Sequence, residues 1–128
     1  MAERQLISSG SPFEDVFGFS RAVRVGDRIF VSGTAAWGDD GTLMGQGDMY
    51  AQAKQTIANI EAALKEAGAS LADVVRTRVF VTDISRLGEV GRAHLEAFRD
   101  VRPAATAVGV TALAAPEMLV EIEADAVV

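Results

Sequence analysis

Cysteine is missing from this 128-residue chain, which excludes a disulfide framework, a thiolate nucleophile and any sulfur-ligated metal. Histidine is nearly missing too: His94 stands alone, and no serine has a histidine–acid partner by local motif. No stretch approaches the ~18 apolar residues that a membrane span needs. The first ten residues carry Glu3 and Arg4 and no apolar run, unlike a signal peptide. Positive charge is scarce, with 12 Lys and Arg against 18 Asp and Glu and a net charge of −6. Those cations are scattered rather than clustered, which argues against a phosphate-binding surface. The glycines form neither G-x-G-x-x-G nor a P-loop, so nucleotide binding has no support. The resulting expectations are a cytoplasmic protein with no cofactor, no metal, and no nucleic-acid or membrane partner.

What is present suits one domain spanning residues 1–128. Its length is that of a single core, and 49% of its residues are apolar, enough to pack that core. The first dozen residues, polar and small, read as a loose or short edge segment. Arg21 to Gly33 reads as a hairpin around Gly26-Asp27, with Val23, Val25, Ile29, Phe30 and Val31 in its arms. Asp39-Asp40-Gly41 marks a second turn, between short strands at Thr34 to Trp37 and Thr42 to Met44. Met49, Ala53, Ile57, Ile60 and Leu64 recur at helical spacing, predicting a helix from Met49 to Ala67 with Asp48 as N-cap and Gly68 beyond its end.

Val74 to Thr82 alternates as a strand, with Val75, Thr77, Val79 and Val81 on one face and Arg76, Arg78, Phe80 and Thr82 on the other. A second helix, Arg86 to Asp100, is expected to be capped by Ser85 and to bury Leu87, Val90, Leu95 and Phe98. Strands at Ala105 to Val110 and Leu119 to Val127 complete the chain. This order implies an α+β fold in two layers, a mixed sheet with two helices packed on one face.

The last strand turns Val120, Ile122, Ala124 and Ala126 toward the helices, and Glu121, Glu123 and Asp125 away from them, roughly 7 Å apart along the strand. With Arg76 and Arg78 alongside, the open face is a ladder of acid and arginine. It is either a solvated face or a polar subunit interface. The interface is favoured, because Phe80 shares that face and so small a domain leaves much sheet uncovered. A metal reading of Glu121, Glu123 and Asp125 lacks a histidine or a wrapping loop. Gly33 admits close approach of a ligand to the backbone, though on the sequence alone a packing or bulge glycine is the favoured reading. His94, on the stripe with Val90 and Phe98, reads as a hydrogen-bonded histidine at the core edge. Phe19 and Trp37 are candidates to line a pocket, and each is also ordinary buried surface.

Several separated blocks together resemble the RidA/YjgF family of reactive-intermediate (imine/enamine) deaminases. They are V-G-D-R-I-F-V-S-G at Val25 to Gly33, A-L-K-E-A-G-A-S-L-A-D-V-V-R-T-R-V-F-V-T-D at Ala63 to Asp83, R-P-A-A-T-A-V at Arg102 to Val108 and V-E-I-E-A-D-A at Val120 to Ala126. The resemblance implies a chorismate-mutase-like fold, a homotrimer, and ligand clefts between subunits that take a small molecule. Glu121 corresponds to the family's catalytic acid, which positions or activates the attacking water. Phe19 corresponds to a cleft tyrosine and lacks its hydroxyl. Gly33 and Ala107 match positions lying against the ligand. Ala105 stands where deaminating members carry the arginine that grips the substrate carboxylate, an interaction worth ~1.5–3 kcal/mol. Arg102, three residues earlier, would point to the opposite face in extended backbone, and Arg92 differs in spacing from the family pattern. The resemblance therefore implies a metabolite-binding protein with weak, altered or absent imine/enamine deaminase activity. The alternative is an active hydrolase of a non-carboxylate imine, enamine or other C–N substrate. A ribonuclease role attached to the family sits poorly with the acidic charge and the single histidine.

Overall fold

The computed structural model describes residues 3–128. Six strands form one sheet: β1 (Arg4–Ile7), β2 (Ala22–Val25), β3 (Arg28–Thr34), β4 (Val74–Val81), β5 (Ala104–Gly109) and β6 (Val120–Val127). Their spatial order is β1–β2–β3–β6–β4–β5. β5 runs parallel to β4, and every other neighbouring pair is antiparallel. Three helices accompany the sheet: α1 (Pro12–Phe17), α2 (Met49–Glu66) and α3 (Leu87–Phe98).

The core lies between one face of the sheet and the two longer helices. Val120, Ile122 and Ala124 of β6 are fully buried there, with Ile60 and Leu64 of α2 and Val90 of α3 against the same cluster. Burying each of the larger aliphatic side chains contributes ~1.5–3 kcal/mol. The α2 stripe matches the sequence spacing, and its ends are fixed as expected. Asp48 accepts from the N–H of Ala51, while Gly68 takes the left-handed conformation at φ 84° just beyond the helix. Arg24 also closes that end, donating to the Ala67 carbonyl at 2.6 Å.

Five local readings need correction. Val75 does not face the helices: a bulge between Val74 and Arg76 gives β4 an extra residue opposite β6, and Val75 turns outward, 48% exposed. Ser85 does not cap α3. Asp83 instead accepts from the N–H and hydroxyl of Ser85, opening a short 3-10 turn that leads into the helix at Leu87. Leu95 is 50% exposed, on the rim of the helix rather than beneath it. The strands at Thr34 to Trp37 and Thr42 to Met44 reduce to a single bridge between Trp37 and Leu43. The N-terminal segment does supply an edge strand, β1, but also the short helix α1, started by Ser11 and ended by left-handed Gly18. Trp37 packs on a small second cluster of Ala35, Ala36, Leu43 and Met118, in keeping with ordinary buried surface.

Candidate functional site

Glu121 pairs with Phe80 across β4 and β6, so it stands on the face of the sheet away from α2 and α3. On its other side, β3 bulges between Val31 and Thr34. Gly33 lies in that bulge, and a Cβ there would meet the Glu121 carboxyl carbon at 2.9 Å. The glycine thus fits the packing and bulge reading: it lies in the bulge and clears space for the acid.

Arg21 joins this cluster, and no reading of the sequence marked it. Its Nη1 donates to the Gly33 carbonyl at 2.6 Å and to the Thr34 hydroxyl at 3.0 Å. Its guanidinium lies 5.5 Å from the Phe19 ring centroid. Behind it, buried Glu14 accepts from the Ser9 N–H at 3.0 Å and the Ser9 hydroxyl at 2.6 Å. The only sequence signal for Arg21 is its two-residue spacing from Phe19, which in extended backbone puts both side chains on one side.

Charge in this cluster is arranged around burial. Burial pushes the Glu121 carboxyl above its ordinary range, the Arg21 charge opposes that shift and Glu123 adds to it. Burial likewise pulls Arg21 below its ordinary value, against the charges of Glu14 and Glu121. Burial would raise Glu14, but the hydrogen bonds from Ser9 and the charge of Arg21 outweigh it and hold Glu14 below its usual range. Farther along the open face, Arg78 donates to Glu123 at 3.2 Å and to Asp125 at 3.3 Å. Those two acids therefore belong to the charge ladder, and Glu121 stands apart from it. No three His, Cys, Asp or Glu side chains among the described residues converge as a metal site would require.

Ala105 and Ala107 lie elsewhere. Their partners on β4 are Thr77 and Val79, which are buried beneath the helices, so both alanines sit on the helix side of the edge strand. There they line a groove of about 420 Å³ between β5 and α3, with Val90, His94 and Phe98 in its wall. That volume is within the usual range for a small-molecule site. His94 hydrogen-bonds the Thr77 hydroxyl at 2.9 Å and packs against Phe98 with ring centroids 4.7 Å apart and planes tilted by 44°, as a core-edge histidine should. Burial lowers its pKa, favouring the neutral imidazole. One chain thus brings Phe19, Gly33 and Glu121 together on one face and places Ala105 and Ala107 on the other.

Arg92 and Arg102, the two arginines weighed as stand-ins at position 105, part company. Arg92 stacks its guanidinium 3.7 Å from the Tyr50 ring centroid, on the helical layer and outside the groove. Arg102 is not in extended backbone. Its φ of 55° turns the chain, and it lines the same groove as Ala105.

The sheet, its helices and the half-buried acid against a bulge glycine define a two-layer α+β domain with an acidic site on its open face. The family profile described as Endoribonuclease L-PSP matches residues 11–128, and the chain belongs to that family, the RidA/YjgF proteins. An uncharacterized protein of Streptomyces coelicolor, SCO2049, is 42% identical over 120 residues, 94% of this chain and 89% of that one. A 2-iminobutanoate/2-iminopropanoate deaminase of Rattus norvegicus is 33% identical over 124 residues, 97% of this chain and 90% of the rat protein. The crystal structure of Rv2704 from Mycobacterium tuberculosis, a YjgF/YER057c/UK114 family member, is 53% identical with a TM-score of 0.89, covering 98% of this chain and 100% of that one.

Proposed function

We propose that this chain binds a small metabolite in clefts shared between the subunits of a homotrimer, with weak or altered deaminase activity toward 2-imino acids, or none. The carrying observation is that the two half-sites lie on opposite faces of one chain, with Glu121 retained in one and alanine at position 105 in the other. In a closed ring, the Glu121 face of one subunit meets the β5 edge of the next. The open face supports such a partner, since Phe30 and Val108 are exposed beside the charge ladder. A short 2-imino acid held in such a cleft would find no guanidinium on β5 for its carboxylate.

The alternative, an active hydrolase of imines or enamines whose reacting carbon bears no carboxylate, draws on the upward shift of Glu121. An acid titrating nearer neutrality gives and takes protons well. Glu121 would take a proton from water as the new C–O bond forms and the C=N electrons pass to a protonated nitrogen. The carbinolamine then collapses: protonated Glu121 gives its proton to the nitrogen, the C–N bond breaks, ammonia leaves, and the hydroxyl oxygen forms the carbonyl as its proton returns to Glu121.

The test is to generate several 2-imino acids in situ with an amino-acid oxidase and follow their decay with and without the protein. Little or no acceleration is expected, with a gain in Ala105→Arg. Rapid decay with the unaltered chain at low protein concentration would overturn the reading.

A further inference from the structure

Arg102 is the residue other than glycine that adopts a left-handed backbone among the described residues, at φ 55°. It closes the turn after α3, where the N–H groups of Val101 and Arg102 donate to the Phe98 carbonyl at 3.1 and 3.0 Å. Glycine is the residue such a position favours, asparagine and aspartate tolerate it, and an arginine there is strained. Nothing in the fold uses this one. Arg102 is exposed, and neither it nor nearby Arg99 makes an ion pair or side-chain hydrogen bond among the described residues. Both side chains line the groove beside Ala105 and Ala107. A strained residue kept at a cleft is a pointer to function.

Topology gives the groove a direction. β4, α3 and β5 form a parallel strand–helix–strand unit, so α3 runs back against β5 and its C-terminal end lies over the start of that strand. The cations Arg99 and Arg102 therefore gather at one end, and Leu87 lies toward the other. Between them the wall is apolar, and the two alanines leave it wide.

We infer that this groove takes an organic carboxylate longer than the short 2-imino acids, its carboxylate gripped by Arg102 and Arg99 and its apolar body lying over Ala105 and Ala107. Two unpaired guanidinium groups in a chain of net charge −6 supply the charge complementarity, and planar forks suit a carboxylate. The inference rests on the reading of this groove as one half of a small-molecule cleft, but not on catalysis.

The experiment titrates the full chain with acetate, hexanoate and hexanamide, using calorimetry and amide NMR shifts. Hexanoate is expected to bind about tenfold or more tighter than acetate or hexanamide, with shifts centred on residues 98–107. Arg102→Gly removes the guanidinium and relieves the backbone. It should hold or raise the melting temperature and weaken hexanoate about tenfold, leaving hexanamide unchanged. Arg102→Asn, which also accepts left-handed backbone, should do the same and serves if the glycine variant folds poorly. Equal binding of hexanoate and hexanamide, undiminished hexanoate binding in both variants, or shifts confined to another surface would overturn the inference. Hexanoate binding without turnover of any imine leaves the inference standing and counts against hydrolysis. Turnover without hexanoate binding does the reverse.

Discussion

Glu121 fills the space that a side chain on Gly33 would need, its carboxyl carbon 2.9 Å from the position of such a Cβ. The contact crosses from β6 to the bulge of β3, so the backbone of one strand fixes the position of the acid on the next. Gly33→Ala should change stability by no more than ~1 kcal/mol, because alanine gains in a strand about what the local adjustment costs. It should nonetheless move the Glu121 carboxylate. A crystal structure of the variant checks this, and an unmoved carboxylate would break the link between the bulge and the site.

Burial raises the Glu121 pKa, so the folded state prefers the protonated acid. Well below the unfolded value of about 4 both states are protonated and the group contributes nothing. As pH rises through the unfolded and then the folded value, the penalty grows to its full size. Glu121→Gln should therefore raise the melting temperature at pH 7 and leave it unchanged near pH 3, while abolishing any hydrolysis. Equal effects on stability at the two pH values would contradict the assignment.

Arg21 opposes that upward shift, so Arg21→Gln should move the Glu121 titration to higher pH. Carboxyl-carbon NMR reads this directly, and the acidic limb of any pH–rate profile should follow in the same direction. A titration that stays put or moves down would remove Arg21 as the counter-charge of the acid.

On the helix side, His94 is neutral by burial and satisfies the hydroxyl of fully buried Thr77. His94→Leu should cost ~1–3 kcal/mol by leaving that hydroxyl unpaired, and adding Thr77→Val should recover part of it. Because the folded pKa lies below the unfolded value, the stability from His94 is full above about pH 6.5 and is lost as pH falls below it. Denaturant melts of the single and double variants from pH 5 to pH 8 measure both effects. Additive losses, or no pH dependence, would contradict the pairing.

Much of this was legible in the residues. The period of the Met49–Glu66 stripe, the alternation of Val120–Val127 and the Gly26-Asp27 turn each set an element, because burial on one face enforces a repeat. The bulges were not legible: Val75 looks like one more inward valine until the pairing with β6 shows an extra residue. Alternation also misplaced Arg102, since it assumes extended backbone and the turn is left-handed. At the site, the resemblance reached Phe19, Gly33 and Glu121 one by one, and the structure gathers them. Arg21 stayed hidden because its partners come from three separate segments: Gly33 and Thr34 of β3, Glu14 of α1 and Glu121 of β6.

The absence of cysteine allows a direct test of the shared cleft. Phe19→Cys and Ala107→Cys lie on opposite faces of one chain, so a short bismaleimide can join them only across a subunit boundary. Combined in one chain, they should give covalent oligomers up to the trimer mass, and each alone should give no such ladder. A chain that stays monomeric and uncrosslinked would contradict the shared cleft.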